Sequence, residues 1–273
     1  MLSKQRVQLI ASDLDGTLLN PFGVVSDRTI LALQKVMRQG IHVVVASGRT
    51  EREMRQLLAP LHLEEDEGSY FISYNGARTA KANDGSIVEE VMFSAQQVNA
   101  IIRQIVQYDV HIHVFCRNHM YVSSDLVQLL KEDSQQDKDI VYVDMHTYIF
   151  NQPCYKLLIY EDENTIQKLS QELSQHLPSD TKMFTSHKKL LEFVPMEGTK
   201  GGALTRLCQR LGVPLEEVVA FGDEENDISM LQSAGMGVAM SNAIAKVKQN
   251  AKYTTTSNEH DGVAEIIESI FSL

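Results

Sequence analysis

The chain has 273 residues, 43% of them hydrophobic and 22% charged, with a formal net charge of -11. This is the composition of a folded globular protein of one large or two modest domains, and the excess negative charge without a basic tract argues against a nucleic-acid substrate. No apolar run approaches a membrane span, the N-terminus lacks a signal-peptide stretch, and Cys116, Cys154 and Cys208 are far apart without a Cys-x-x-Cys pair. A cytoplasmic protein with buried free thiols is expected.

Residues 7–11 form an apolar run that predicts a buried strand. It leads into Asp13-Leu14-Asp15-Gly16-Thr17, where Gly16 allows a sharp turn. A helix is predicted over 26–39, with Ile30, Leu33, Val36 and Met37 on its apolar face and Gly40 at its C-terminus. A second buried strand over 41–46 leads into Ser47-Gly48-Arg49. A helix over 51–58 and a third strand over 70–74 follow. Alternation of helices with near-continuous apolar strands implies a parallel sheet covered on both faces.

The pattern changes after Asn75-Gly76. Asn83-Asp84-Gly85 is a turn signal between short strands, and Ser94 with Gln97 forms a capping box before a helix carrying Val98, Ile101, Ile102 and Ile105. Strands are expected at 111–116 and 120–122, a polar helix at 124–136, a strand at 155–160, a helix at 165–176, and strands at 183–185 and 190–194. This reads as an α+β insert with a largely antiparallel sheet. From Lys200 the α/β rhythm returns: a helix to Leu211, a strand at 218–221 leading into Gly222-Asp223, further units at 236–240 and 243–251, and a last helix at 263–272. The expected architecture is an α/β, Rossmann-like core over 1–83 and 190–273, interrupted by a cap domain over 84–189.

Four polar segments fall at strand ends or helix starts: Asp13-x-Asp15, Ser47-Gly48-Arg49, Lys200, and Gly222-Asp223-Glu224-Glu225-Asn226-Asp227. In a parallel sheet such ends converge on one edge. Carboxylates brought together there repel and resist ionisation, and a hard divalent cation such as Mg²⁺ removes that cost. A phosphate dianion meeting an attacking carboxylate faces repulsion on the order of 4 kcal/mol per charge pair. Mg²⁺ together with Lys200 offsets it, while Ser47 and the Gly48 N–H form an anion cradle and Asn226 can donate an amide hydrogen. His111, His113 and His119 read as surface histidines of the insert, because no matched carboxylate ligand lies in their segment.

In this order, the segments resemble those of the haloacid dehalogenase-like phosphatases, and most closely the Cof-type branch. Besides the four already quoted, the resemblance rests on Asn75-Gly76, Met230-Leu231, Ala239-Met240-Ser241-Asn242-Ala243 and Asp261-Gly262-Val263-Ala264. It implies that Asp13 is the nucleophile that forms an aspartyl-phosphate, and that Asp15 is the general acid and then the base for the hydrolytic water. Mg²⁺ would be held by Asp13, the Asp15 carbonyl and Asp223, with Asp227 in support. Phosphate would be bound by the Leu14 N–H, Ser47, Gly48, Lys200 and Asn226. Arg49, Asn75 and Asn242 fit the pattern without an assigned contact. The insert would be the cap that chooses the substrate.

The implied function is hydrolysis of a small phosphorylated metabolite, a sugar or cofactor phosphate, by a monomer or weak homodimer. A phosphomutase of the same superfamily and a non-catalytic, phospho-accepting signalling module are the alternatives.

Overall fold

The computed structural model describes residues 7–123 and 139–273. The helix expected at 124–136 lies outside the described residues. The chain divides into two compact units, 1–90 with 199–273, and 91–198.

The first unit is built on an eight-stranded sheet. Its strands are β1 (Leu9–Asp13), β2 (His42–Ala46), β3 (Ser69–Ser73), β4 (Arg78–Lys81), β5 (Ile87–Glu90), and, after the insert, β12 (Val218–Gly222), β13 (Met236–Ala239) and β14 (Tyr253–Thr254). The order is β14-β13-β12-β1-β2-β3-β4-β5. The first six in that order run parallel, and β4 and β5 add an antiparallel edge. β1, β3 and β12 are buried at every position, which is what a parallel sheet flanked by helices on both faces requires. Helices α1 (Asp27–Met37) and α8 (Gly262–Phe271) pack together, as do α5 (Lys200–Leu211) and α6 (Ile228–Ser233). Two further short helices, α2 (Glu51–Leu57) and α7 (Ala245–Asn250), belong to the same unit.

β1 lies between β2, its neighbour in sequence, and β12, which returns from beyond the insert. Strand order reverses there, and a reversal of this kind opens a crevice at the carboxyl ends of the strands.

The second unit carries a six-stranded sheet, ordered β10-β11-β9-β6-β7-β8. Its strands are β6 (His111–Cys116), β7 (His119–Ser123), β8 (Asp139–Val143), β9 (Cys154–Tyr160), β10 (Thr181–His187) and β11 (Leu190–Pro195). Pairing is antiparallel except between β7 and β8. Helices α3 (Ala95–Ile105) and α4 (Glu163–Leu173) cover one face, where Ile101, Ile105, Ile166 and Leu169 pack on Val114, Leu157 and Phe193. Both helices start with side-chain caps, the first of them the one expected. Ser94 and Gln97 form a reciprocal capping box, and Asp162 accepts from Asn164 N and Thr165 N.

Two expectations are corrected. The unit boundaries fall at 90/91 and 198/199, not at 83/84 and 189/190. The β4–β5 hairpin pairs onto β3 and extends the core sheet, and β11 pairs with β9 and β10 inside the insert. A local pattern identifies a strand but not the sheet it joins. Nor are all three cysteines free thiols: Cys116 and Cys154 are register partners across β6 and β9 and form a disulfide, while Cys208 is free and buried. Their separation of 38 residues conceals that register in the sequence.

Candidate active site

Asp13 is the last residue of β1, Ser47 follows β2, Asn75 follows β3, Asp223 follows β12, and Lys200 opens α5. Five chain segments thus reach one edge of one sheet. The turn after β1 depends on Gly16, at φ 78°. A Cβ there would stand 2.3 Å from Asp223 Oδ2, so the glycine both reverses the chain and lets the second acidic loop approach. Gly76, at φ 116°, plays the same part for α5: a Cβ on it would lie 2.2 Å from the Thr199 carbonyl oxygen and push Lys200 away.

The centre is a buried cluster of charge. Ligand atoms of Asp13, Asp223 and Asp227 lie within 4.8 Å of one another, and all three residues are buried. Lys200, 1% exposed, donates from Nζ to Asp13 Oδ1 and to Asp227 Oδ1, the latter at 2.6 Å. Burial would lower the affinity of this lysine for its proton, but Asp13 and Asp227 more than reverse that effect, so Lys200 is held charged. Its third hydrogen remains available for a ligand.

Asp227 is engaged at both oxygens. Its Oδ2 accepts from Asp223 N at 2.9 Å and Glu224 N at 3.0 Å, while Oδ1 takes the lysine. Asp13 and Asp223 each keep one oxygen. Asp13 Oδ1 takes Lys200, and Asp223 Oδ1 accepts from Thr17 Oγ1 at 2.8 Å. Burial, with repulsion from Asp227, raises the pKa of Asp13 well above the usual carboxylate range and that of Asp223 to about 7. Two buried carboxyls with open oxygens and a deficit of positive charge form a hard-oxygen donor set suited to a divalent cation.

The phosphate-binding candidates surround this cluster. Ser47 is buried and its Oγ accepts from Arg49 N at 3.2 Å. Asn75, in the left-handed region at φ 61°, donates from its backbone N to the Ser47 carbonyl at 2.9 Å. Its Oδ1 accepts from Asn226 Nδ2 at 3.0 Å, leaving the second Nδ2 hydrogen of Asn226 uncommitted. Gly48 lies against the Asn75 side chain, 3.1 Å from its Oδ1 at the position of a Cβ. Asn242 sits one layer out, donating from Nδ2 to the Gly16 carbonyl at 2.8 Å and accepting from Asn258 N at 3.1 Å, so it clasps the turn that carries Asp15.

Asp15 itself is half exposed and gripped by Arg49. Thr17 was not expected as a site residue, although it belongs to the motif. Its role depends on a partner 206 positions away.

A model of haloacid dehalogenase-like hydrolases matches residues 10–267. The chain belongs to the haloacid dehalogenase-like hydrolases. Within this family it is a phosphatase of the Cof type. A haloacid dehalogenase-like hydrolase of known structure from Bacteroides thetaiotaomicron is 34% identical, with a TM-score of 0.80 over 97% of this chain and 100% of its own. HMP-PP phosphatase of Cronobacter sakazakii is 30% identical over 240 residues, 88% of this chain and 86% of that protein. A 5-amino-6-(5-phospho-D-ribitylamino)uracil phosphatase of Bacillus subtilis is 29% identical over 266 residues, 96% and 94% of the two chains.

Among the described residues the histidines of the insert do not form a comparable centre. His111 pairs with Glu161 at 2.7 Å, and His113 is pushed down to about 4, mainly by burial. Among the described residues no helix is long and apolar enough to cross a membrane.

Proposed function

We propose that this hydrolase is a Mg²⁺-dependent phosphomonoesterase of the cytoplasm, acting on small phosphorylated metabolites through an aspartyl-phosphate. The observation that carries this reading is the buried imbalance of three aspartates against one lysine, with one oxygen of Asp13 and one of Asp223 still open. The names of its relatives, an HMP-PP phosphatase and a 5-amino-6-(5-phospho-D-ribitylamino)uracil phosphatase, support a small phosphorylated metabolite, a sugar or cofactor phosphate, as substrate.

Asp13 attacks phosphorus through one oxygen of its carboxylate, and the bond from phosphorus to the leaving oxygen breaks. Asp15 gives that oxygen a proton, releasing the alcohol. In the second half, water attacks the same phosphorus, its proton passes to Asp15, and Asp13 departs as a carboxylate with inorganic phosphate released. The Leu14 and Gly48 N–H groups, Ser47, Asn226 and the third Lys200 hydrogen hold the phosphoryl oxygens. Asp13, Asp223 and the Asp15 carbonyl would hold Mg²⁺, which supplies charge neutralisation at the carboxylates and polarises the phosphoryl group. Asp227 anchors Lys200 and the turn at 223–224, and would support the metal from there.

The test is phosphate release from p-nitrophenyl phosphate and from a panel of phosphorylated metabolites, with and without EDTA. Mg²⁺-dependent free phosphate is expected; full activity after chelation would overturn the metal assignment. An isomeric phosphate ester as product would make the enzyme a mutase. Stoichiometric phosphorylation without turnover would make it a phospho-accepting module.

A further inference from the structure

Arg49 engages the general acid with a geometry more specific than a surface ion pair requires. Its Nε donates to Asp15 Oδ2 and its Nη2 to Asp15 Oδ1, both at 2.8 Å. The guanidinium therefore fixes the plane of the carboxylate, not merely its charge. The arginine is braced in turn. Its Nη1 lies 3.7 Å from Glu53 Oε1, and Glu53 Oε2 accepts from Thr50 N and Thr50 Oγ1 at 2.8 and 2.7 Å. Its backbone N is tied to Ser47 Oγ. A chain of contacts thus runs from the first turn of α2 to the Asp15 carboxylate.

Asp15 has no comparable support from its own segment. It sits in the turn after β1, in extended conformation next to Gly16, with its side chain 50% exposed. A pair this exposed contributes at most about 1 kcal/mol to stability, so folding alone does not account for the fork. A carboxylate offers about four lone-pair sites. The fork occupies two and leaves two for the reacting oxygen. In the reaction above the leaving oxygen and then the hydrolytic water present themselves to this carboxylate in succession, so a fixed orientation serves both transfers.

We propose that Arg49 is a positioning residue that orients the Asp15 carboxylate for proton transfer to the leaving group and from the hydrolytic water. This rests on the reading of Asp15 as general acid and base. Lysine carries the charge but lacks the planar fork, so Arg49→Lys should behave like Arg49→Ala and unlike wild type.

The experiment uses the full chain with Mg²⁺ and follows alcohol release in a single turnover. It compares a simple alkyl phosphate, whose alkoxide needs a proton to leave, with p-nitrophenyl phosphate, whose phenolate does not. For both variants, alkyl release should fall about 10-fold or more, a part of what a general acid contributes. Aryl release should fall less than about threefold, with KM for the aryl substrate unchanged. Guanidinium ion should restore alkyl release in Arg49→Ala, and ammonium should not. Equal loss on both substrates, or a rise in KM alone, would overturn the proposal and make Arg49 a substrate-binding group. Asp15→Asn is the control. If it shows the leaving-group selectivity and the Arg49 variants do not, only the positioning role falls. If it shows none, the underlying assignment of Asp15 falls instead.

Discussion

In the inserted unit a buried lysine, Lys156, meets a buried glutamate, Glu192, at 2.7 Å, and Ser186 donates to the other oxygen of that glutamate. In the core a single buried lysine, Lys200, faces three buried aspartates. Lys156 also lies 4.8 Å over the Phe115 ring. In the insert, charge meets its opposite and the cost of burial is offset internally. In the core, one lysine does not offset three carboxyls, and Asp13 and Asp223 resist ionisation instead. A ligand that brings positive charge is what the second arrangement lacks, and this is the physical difference between a structural ion pair and a reactive centre.

The comparison is broken most severely at Asp13. Asp13→Asn removes the attacking oxygen, and kcat on p-nitrophenyl phosphate should fall by about 10⁴-fold or more. A variant that still turns over at the wild-type rate would remove Asp13 from the chemistry.

The counterpart in the insert should affect folding. Glu192→Ala deprives a buried ammonium of its carboxylate and should cost about 3 kcal/mol in urea unfolding. The paired replacement of Lys156 by Met and Glu192 by Leu should recover most of that loss, because both charges then leave together. If the pair is no better than Glu192→Ala, the insert's ion pair has a role beyond offsetting its own burial.

A third measurement separates the two regions by pH. The pKa of Asp223 rises from its usual value to about 7 in the folded, metal-free protein because of burial and repulsion from Asp227. The folded state therefore binds a proton more tightly than the unfolded state does. Its contribution is present below about pH 4 and is lost as pH rises towards 7. Metal-free protein should lose on the order of 2 kcal/mol of stability between pH 4.5 and 7.5 from this group. Mg²⁺ should restore more stability at pH 7.5 than at pH 4.5. A metal-induced gain that is flat across this range would show that the carboxylates do not carry the effect.

Much of this was legible in the sequence, for reasons that can be stated. Buried parallel strands are continuous apolar runs, so β1, β2, β3 and β12 and the loops after them could be placed from local pattern alone. Asp13, Ser47 and Asp223 come with those loops, and Lys200 comes with the start of a helix. Relations that depend on register between distant segments were not legible. The bond of Lys200 to Asp227, the grip of Arg49 on Asp15 and the clasp of Asn242 on Gly16 join residues 27, 34 and 226 positions apart. The Cys116–Cys154 pair and the membership of the β4–β5 hairpin belong to the same class. Pattern reveals which residues arrive at the edge of the sheet; only the register reveals which of their atoms remain free once they are there.

Thr17 gives the finest test of that last point. Its hydroxyl donates to Asp223 Oδ1 at 2.8 Å and is buried. The bond stabilises the ionised form of Asp223 and opposes the burial that raises its pKa. It also fixes one oxygen of the carboxylate and leaves the other, Oδ2, for a ligand. Thr17→Val keeps the shape and removes the donor, so the fold should lose only about 1 kcal/mol. The larger consequence should fall on metal affinity, because a partner that orients a ligating carboxylate typically contributes about 10-fold or more to metal binding. Titration of Mg²⁺ by its effect on thermal stability should show that weakening. Thr17→Ser, which keeps the hydroxyl, should bind within about threefold of wild type if the hydrogen bond and not the methyl group is responsible. If serine and valine weaken the metal equally, packing in the turn after β1, and not the orientation of Asp223, sets the affinity of the site.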